Sequence, residues 1–289
     1  MHSLRYRSQT VSGLAYFIAF ATLALGDSTP FSVLALIPLA GSLVVLAYRF
    51  EWTRMAVFGI VATYATCASR PDTGAPLAST QALFFAYWLL FETFDLMRVR
   101  RRVRAFALES LILPLNAIGF LGLSLVKWDR SAHSHLYVAF AAGAFLYFLS
   151  GLVRVRLSPT DLLQDTTFER MAMGGYEGPI TISAILAVIF VFQKAPGMWI
   201  SAGLLLEAEI LFLAGVRLRQ PFLRQLGGGV FATSLLKLTA DILTDDTLVV
   251  ANHTWAKWTP ATILTAAAFY LNRAFTVVEG KIYSARQPS

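Results

Sequence analysis

Long apolar runs follow one another along almost the entire chain and are separated only by short polar turns. Each run is roughly 16 to 22 residues long, and a helix of about 20 apolar residues can cross the hydrocarbon core of a bilayer. The composition agrees, because only 14% of the residues are charged, against about 25% in a soluble domain. The sequence therefore predicts an all-α, polytopic integral membrane protein.

The polar turns divide the apolar sequence into ten predicted spans, which we interpret as a series of helical hairpins with basic tips. Proline marks some of the divisions: Pro30 suits the start of a helix, and Pro71 and Pro76 interrupt the chain after the third span. We predict a single transmembrane domain, 1–289, with spans at 11–26, 30–48, 54–69, 79–97, 105–126, 134–153, 178–193, 197–216, 222–243 and 257–277. The inner loop 155–177 fits either a short surface helix or a polar connector.

Positive charge is concentrated in every second turn. Eighteen of the 24 Lys and Arg residues lie in these turns, Arg154 among them, whereas five lie on the opposite side. Cytoplasmic turns carry the excess of Lys and Arg in membrane proteins, so we predict that both termini are cytoplasmic. The net charge of +7 is then a consequence of topology, and no nucleic-acid partner is predicted.

The predicted eighth and ninth spans form a hairpin that carries ionisable residues far from its basic turn. One face of the ninth span has four residues spaced four apart, namely Gly229, Thr233, Lys237 and Asp241. Lys237 and Asp241 can therefore pair within the helix. Glu207 and Glu209 on the eighth span point about 200° apart, so only one can face this stripe. The hairpin would bring Glu207 and Lys237 to nearly the same depth in the bilayer, so we predict that these two residues pair. Glu209 then needs another partner or keeps its proton.

Two interpretations of this intramembrane cluster are open. A charge at the bilayer centre costs about 2.5–3.5 kcal/mol, so these side chains should face protein or water. In the first interpretation, the charges form an ion pair that sets the register of the two helices. In the second, they form a relay for protons or for a substrate, which is the usual hypothesis for intramembrane charges.

A second group of charges lies near the inner ends of the fourth and fifth spans. Its members are Glu92, Asp95, Arg98 and Glu109. The acids lie close to the arginines of the turn, and salt bridges to that turn are one interpretation. A cytoplasmic gate or a site for anionic lipid head groups at Arg98–Arg104 is the other. Asn116 lies seven residues after Glu109, so the fifth span also points a polar group inward.

The sequence contains no recognisable catalytic motif and no cofactor site. None of the four histidines lies within a predicted span, which argues against a membrane haem. The His133-x-His135 pair is a weak metal signal that solvated loop residues explain equally well. Motifs of metalloproteases, serine hydrolases and phosphate-binding loops are absent. We therefore predict no enzymatic activity, no cofactor and no metal.

The segment from Glu207 to Asp241 resembles a family of bacterial multi-spanning membrane proteins that is defined only as a domain of unknown function. The resemblance rests on the tip Gly215-Val-Arg-Leu-Arg219 and on the sequence Lys237-Leu-x-x-Asp241 in the following helix. It extends loosely to residues 5–66 and 86–104. The resemblance implies a bacterial inner (cytoplasmic) membrane location and implies no particular activity.

Two functional hypotheses follow from these features. The first is a non-enzymatic scaffold or accessory subunit of an envelope complex, which would contact the lipid bilayer and membrane-protein partner chains. The alternative is a small secondary transporter or flippase that uses Glu207, Lys237 and Asp241. A scaffold predicts a packed bundle with an apolar flank, whereas a transporter predicts a polar cavity that reaches Glu207.

Overall fold

The structure, a computed structural model, describes residues 8–26, 30–69, 76–101, 109–132, 135–157, 174–197, 199–218, 220–243, 247–250, 253–256 and 258–284. Ten α-helices follow one another within these residues: α1 (Gln9–Leu25), α2 (Pro30–Phe50), α3 (Thr53–Ser69), α4 (Leu77–Arg100), α5 (Ile112–Ala132), α6 (Leu136–Leu157), α7 (Glu177–Lys194), α8 (Trp199–Arg217), α9 (Pro221–Leu243) and α10 (Trp258–Ser284). A helix occupies each predicted span, so the prediction of a helical architecture is confirmed.

Four of these helices, α5 to α8, are long and apolar enough to cross a membrane. Their presence supports a membrane protein in general. The remaining helices coincide with predicted spans, but the count of ten membrane crossings stays a prediction. The two alternatives for the inner loop 155–177, a short surface helix or a polar connector, concern mostly residues 158–173, which lie outside the described residues.

The start of the fifth helix differs from the prediction of residue 105. A 3₁₀ turn covers Glu109–Leu111, and α5 begins only at Ile112. This start places Pro114 in the first helical turn, where the missing N–H group of proline removes no intrahelical hydrogen bond. The same logic places Pro30 and Pro221 at the first residues of α2 and α9.

A short antiparallel hairpin precedes α10 and was not predicted. Strand β1 (Thr247–Val250) pairs with β2 (His253–Ala256), and Val250 lies opposite His253. The sequence signal for this hairpin is the three β-branched residues among the four of β1, which favour extended backbone. The segment lies between the predicted spans 222–243 and 257–277.

The described residues form two compact units, residues 1–180 and residues 181–289, and the boundary falls within α7. The prediction of one domain therefore stays a prediction. In the first unit, α4 packs against α5 and α6, and α3 packs against α5. Its centre contains large side chains with no exposed surface, among them Tyr87, Phe91 and Tyr147. Glycine allows close packing here, because a Cβ atom at Gly151 would lie 2.5 Å from Ile180 Cδ1.

The second unit is organised around the α8–α9 hairpin, against which α10 packs. Small residues recur at every seventh position along the seam, namely Ser201, Ala208 and Gly215 on α8 and Gly227 and Ser234 on α9. A Cβ atom at Gly227 would lie 3.0 Å from the backbone oxygen of Ala208. The hydroxyl of Ser234 donates to the backbone oxygen of Ser201 at 3.1 Å. The two helices therefore lie directly against each other, which confirms the predicted hairpin.

Candidate functional site

The strongest concentration of buried charge lies between α4 and α6 in the first unit. Three positions on α4, spaced four and then three residues apart, face α6: Trp88, Glu92 and Asp95. Three positions on α6 meet them: Tyr147, Ser150 and Arg154. Spacings of three and four place residues on one side of a helix. The two helices thus share a continuous polar seam.

Arg154 is the centre of this seam, and its side chain has no exposed surface. Its Nη2 atom donates to Glu92 Oε1 at 2.5 Å. Its Nη1 atom lies 2.7 Å from Asp95 Oδ2 in a second ion pair. The hydroxyl of Ser150 donates to the same Glu92 oxygen at 2.6 Å. The interpretation of Arg154 as a turn residue is therefore wrong, because it lies in the last turn of α6 and points inward.

Asp95 also pairs with Arg98, one turn along α4, where Nη2 lies 2.8 Å from Oδ1. This pair confirms the predicted salt bridge between an inner-end acid and the first arginine of the turn. Glu92, in contrast, is paired by α6 rather than by that turn. The four residues Glu92, Asp95, Arg98 and Arg154, hereafter the α4–α6 charge cluster, contain two acids and two arginines and are neutral as a group. The side chain of Glu109 lies outside the described residues, so its membership stays a prediction.

Gly174 packs against the α4–α6 charge cluster near the C-terminal ends of α4 and α6. Its backbone oxygen accepts a hydrogen bond from Arg154 Nη1 at 2.6 Å. Its φ angle is +79°, and an added Cβ atom would lie 2.8 Å from Val99 and 3.2 Å from the same Nη1 atom. Only glycine fits both the left-handed backbone and the space. Residues 174–177 are all buried, so the end of the inner loop lies over the charges.

A hydrogen-bonded chain continues from the seam into the rest of the first unit. Tyr64 on α3 donates to Asn116 Oδ1 at 2.7 Å, and Asn116 Nδ2 donates to the backbone oxygen of Trp88 at 3.3 Å. Trp88 Nε1 in turn donates to the hydroxyl of Tyr147 at 3.2 Å. Asn116 is buried, which confirms that α5 points a polar group inward. Four helices are therefore connected by buried polar contacts.

Sequence reasoning missed Arg154, Gly174 and Tyr147 as members of this site. The signal that could have identified Arg154 is its spacing of four from Ser150 at the end of an apolar run, which places both on one face. Gly174 carries no such signal, because glycine is common in loops. Its role depends on where the loop returns to the bundle.

In the second unit, the predicted pair within α9 is confirmed, since Lys237 Nζ and Asp241 Oδ1 form an ion pair. Both side chains are 22% exposed. The hydroxyl of Thr233 donates to the backbone oxygen of Gly229 at 3.1 Å, within its own helix. The side chains of Thr233, Lys237 and Asp241 therefore find partners within α9 itself.

The predicted Glu207–Lys237 pair is wrong, because the register of the hairpin separates the two residues. Gly227 packs at Ala208 and Ser234 at Ser201, so Lys237 lies level with the start of α8. That level is roughly 13 Å along the helix axis from Glu207 at 1.5 Å per residue. The depth argument measures Glu207 from Arg217 and Lys237 from Arg224, whereas α9 begins three residues before Arg224, at Pro221.

The two acids of α8 have different surroundings. Glu209 accepts a hydrogen bond from Asn272 Nδ2 of α10 at 2.8 Å, which is the first of the two alternatives given for it. Asn272 itself was not identified from the sequence. Glu207 is different, because both of its carboxyl oxygens are buried and neither has a hydrogen-bond partner among the described residues.

The described part of the chain holds no group of three or more His, Cys, Asp or Glu side chains arranged to bind a metal ion. Comparisons with protein-family models, with curated proteins and with solved structures find no match to this chain. The resemblance to bacterial membrane proteins of unknown function therefore stays a prediction. The site must be interpreted from its own geometry.

Proposed function

We propose that the chain is a non-enzymatic scaffold or accessory subunit of an envelope complex in a bacterial cytoplasmic membrane, with ten spans and cytoplasmic termini. The observation that carries this proposal is the pairing within the α4–α6 charge cluster. Every guanidinium nitrogen of Arg154 contacts an acceptor. The two acids are matched by two arginines. Such an arrangement holds helices together and gives no obvious path for a moving charge.

Four helices that can cross a membrane and the alternation of basic turns support the topology. It is tested by fusing alkaline phosphatase or green fluorescent protein after residues 101, 133, 157 and 195. We expect fluorescence at 101 and 157 and phosphatase activity at 133 and 195. The opposite pattern, or the same reporter active at all four positions, would reject the proposed orientation.

Arg101 supports a contact with anionic lipid head groups at the basic turn. Its guanidinium lies 3.8 Å from the centre of the Tyr48 ring, and the residue is exposed. Arg98 is paired with Asp95, so the lipid site that we propose at Arg98–Arg104 uses Arg100 and Arg101, which are exposed. Binding to vesicles that contain phosphatidylglycerol should weaken in Arg101→Ala and should not change in Arg98→Lys.

A second candidate is a small transporter or flippase, and the partnerless carboxyl of Glu207 favours it. The two candidates are separated by Glu207→Gln and Lys237→Ala, each compared with the wild-type protein for accumulation in the membrane and for cell growth. A scaffold predicts that Glu207→Gln keeps its function whenever the protein accumulates normally. If function disappears while accumulation is unchanged, the transporter proposal replaces the scaffold.

A further inference from the structure

The carboxyl group of Glu207 is the one acid of α8 whose oxygens have no hydrogen-bond partner among the described residues. It lies near the middle of the helix, roughly 12 Å from the first residue and 15 Å from the last at 1.5 Å per residue. The helix itself is one of those able to cross a membrane. In that setting the carboxyl lies far from either aqueous surface.

The side chains close to Glu207 along α8 are apolar. Leu204 and Leu211, one turn away on either side, are 0% and 6% exposed. One turn before Glu207, Gly203 packs against α7, where an added Cβ atom would lie 2.8 Å from Val191. Glycine at that position allows the two helices to approach closely above the acid.

Polar groups of α9 and α10 could partner Glu207, but none in the described part of the chain donates a hydrogen bond to its carboxyl oxygens, and this includes the guanidinium of Arg224. Lys237 pairs with Asp241 within α9 and lies roughly 13 Å away along the axis. Asn272, the amide donor from α10, is bound to Glu209. An isolated carboxylate in an apolar interior costs far more than a neutral carboxylic acid.

We propose that Glu207 is a proton-binding site, in which the acid group keeps its proton within the membrane. The inference concerns Glu207 in the second unit and does not depend on the proposal that the chain is a scaffold. A neutral, water-excluded carboxylic acid has a characteristic reactivity toward hydrophobic carbodiimides. Glu207 is therefore also a modification site for this class of reagent.

The modification is an addition with no leaving group and no redox change. The acid proton moves to one carbodiimide nitrogen, and the carboxyl oxygen forms a bond to the central carbon, which gives an O-acylisourea. The acyl group then migrates from oxygen to the neighbouring nitrogen, which gives a stable N-acylurea. Carboxylates held by arginine or lysine lack the proton that the first step needs, and water competes for the intermediate at exposed sites.

The test uses the full chain in membrane vesicles treated with dicyclohexylcarbodiimide, followed by proteolysis and mass spectrometry. We expect the adduct at Glu207 and none at Glu92, Asp95 or Asp241. Glu207→Gln should remove the labelling, whereas the matched variant Glu209→Gln should keep it. Gel filtration in detergent checks that both variants fold.

Infrared spectroscopy supplies a second readout that does not depend on reagent access. The carbonyl band of a protonated carboxylic acid should be present in the wild-type protein and weaker in Glu207→Gln. No adduct at Glu207 together with no change in this band would overturn the proposal. Equal labelling at the ion-paired acids would also overturn it, because the site would then have no distinct chemistry. Neither result bears on whether the chain acts as a scaffold.

Discussion

Close contact between α8 and α9 can be tested with a single methyl group. Gly227 lies in the seam, and its added Cβ atom would be 3.0 Å from the backbone oxygen of Ala208 and 3.1 Å from the backbone nitrogen of Phe212. Both are backbone atoms, which cannot move aside without displacing α8. Gly228 is the matched control, because an added Cβ there would meet none of the described atoms within 4 Å.

The expected sizes follow from two opposing effects. Replacing glycine by alanine within a helix gains about 0.5–1 kcal/mol, because alanine loses less backbone entropy on folding. At Gly228 this gain stands alone. At Gly227 it is opposed by overpacking, which costs about 1–3 kcal/mol. We therefore expect Gly228→Ala to be neutral or stabilising, and Gly227→Ala to be roughly 1–3 kcal/mol less stable than Gly228→Ala.

The measurement is the free energy of unfolding from a dodecyl sulfate titration of the purified protein in mixed micelles, followed by circular dichroism. The control Gly229→Ala, also in open space, should match Gly228→Ala. If Gly227→Ala is as stable as Gly228→Ala, the two helices do not approach at this point. The register that separates Glu207 from Lys237 would then lose its main support.

Three further predictions use the same assay. Arg154→Ala removes the arginine partner of Glu92 and one of the two arginine partners of Asp95, and it should cost about 3–5 kcal/mol. Exposed Arg156→Ala should stay within about 0.5 kcal/mol, and equal losses would show that the cluster contributes no stability. An added Cβ atom at Gly119 would overlap the Tyr64 ring, whereas one at Gly122 would meet none of the described atoms within 4 Å. Gly119→Ala should therefore be about 1–3 kcal/mol less stable than Gly122→Ala. Glu51 has a φ angle of +57°, in the left-handed region. Glu51→Gly should raise the free energy of unfolding by up to about 1 kcal/mol, because glycine adopts this backbone conformation without strain. Glu51→Ala should show no such increase.

The positions of the helices could be predicted from the sequence, because they depend on local properties. Apolar runs of span length and the prolines at their ends determine where a helix can start and stop. Pro30 and Pro221 therefore mark real helix starts. Pairs within one helix, such as Lys237 with Asp241, are equally local and were predicted from a spacing of four.

Contacts between helices depended on tertiary structure. Glu92 and Arg154 are 62 residues apart, and nothing in either apolar run indicates which helix will face which. The pairing follows from the packing of whole helix faces, and the backbone oxygen of Gly174 reaches Arg154 across 20 residues of sequence.

The α8–α9 hairpin shows the same division most clearly. Its existence was evident from two apolar runs joined by a short basic turn, since a chain that leaves one helix at such a turn must return beside it. The register of the hairpin was not evident from the sequence, because it is set by the contacts of Gly227 with Ala208 and of Ser234 with Ser201. Small residues decide how closely two backbones can approach, and that approach decides which charges are neighbours and which acid is left alone.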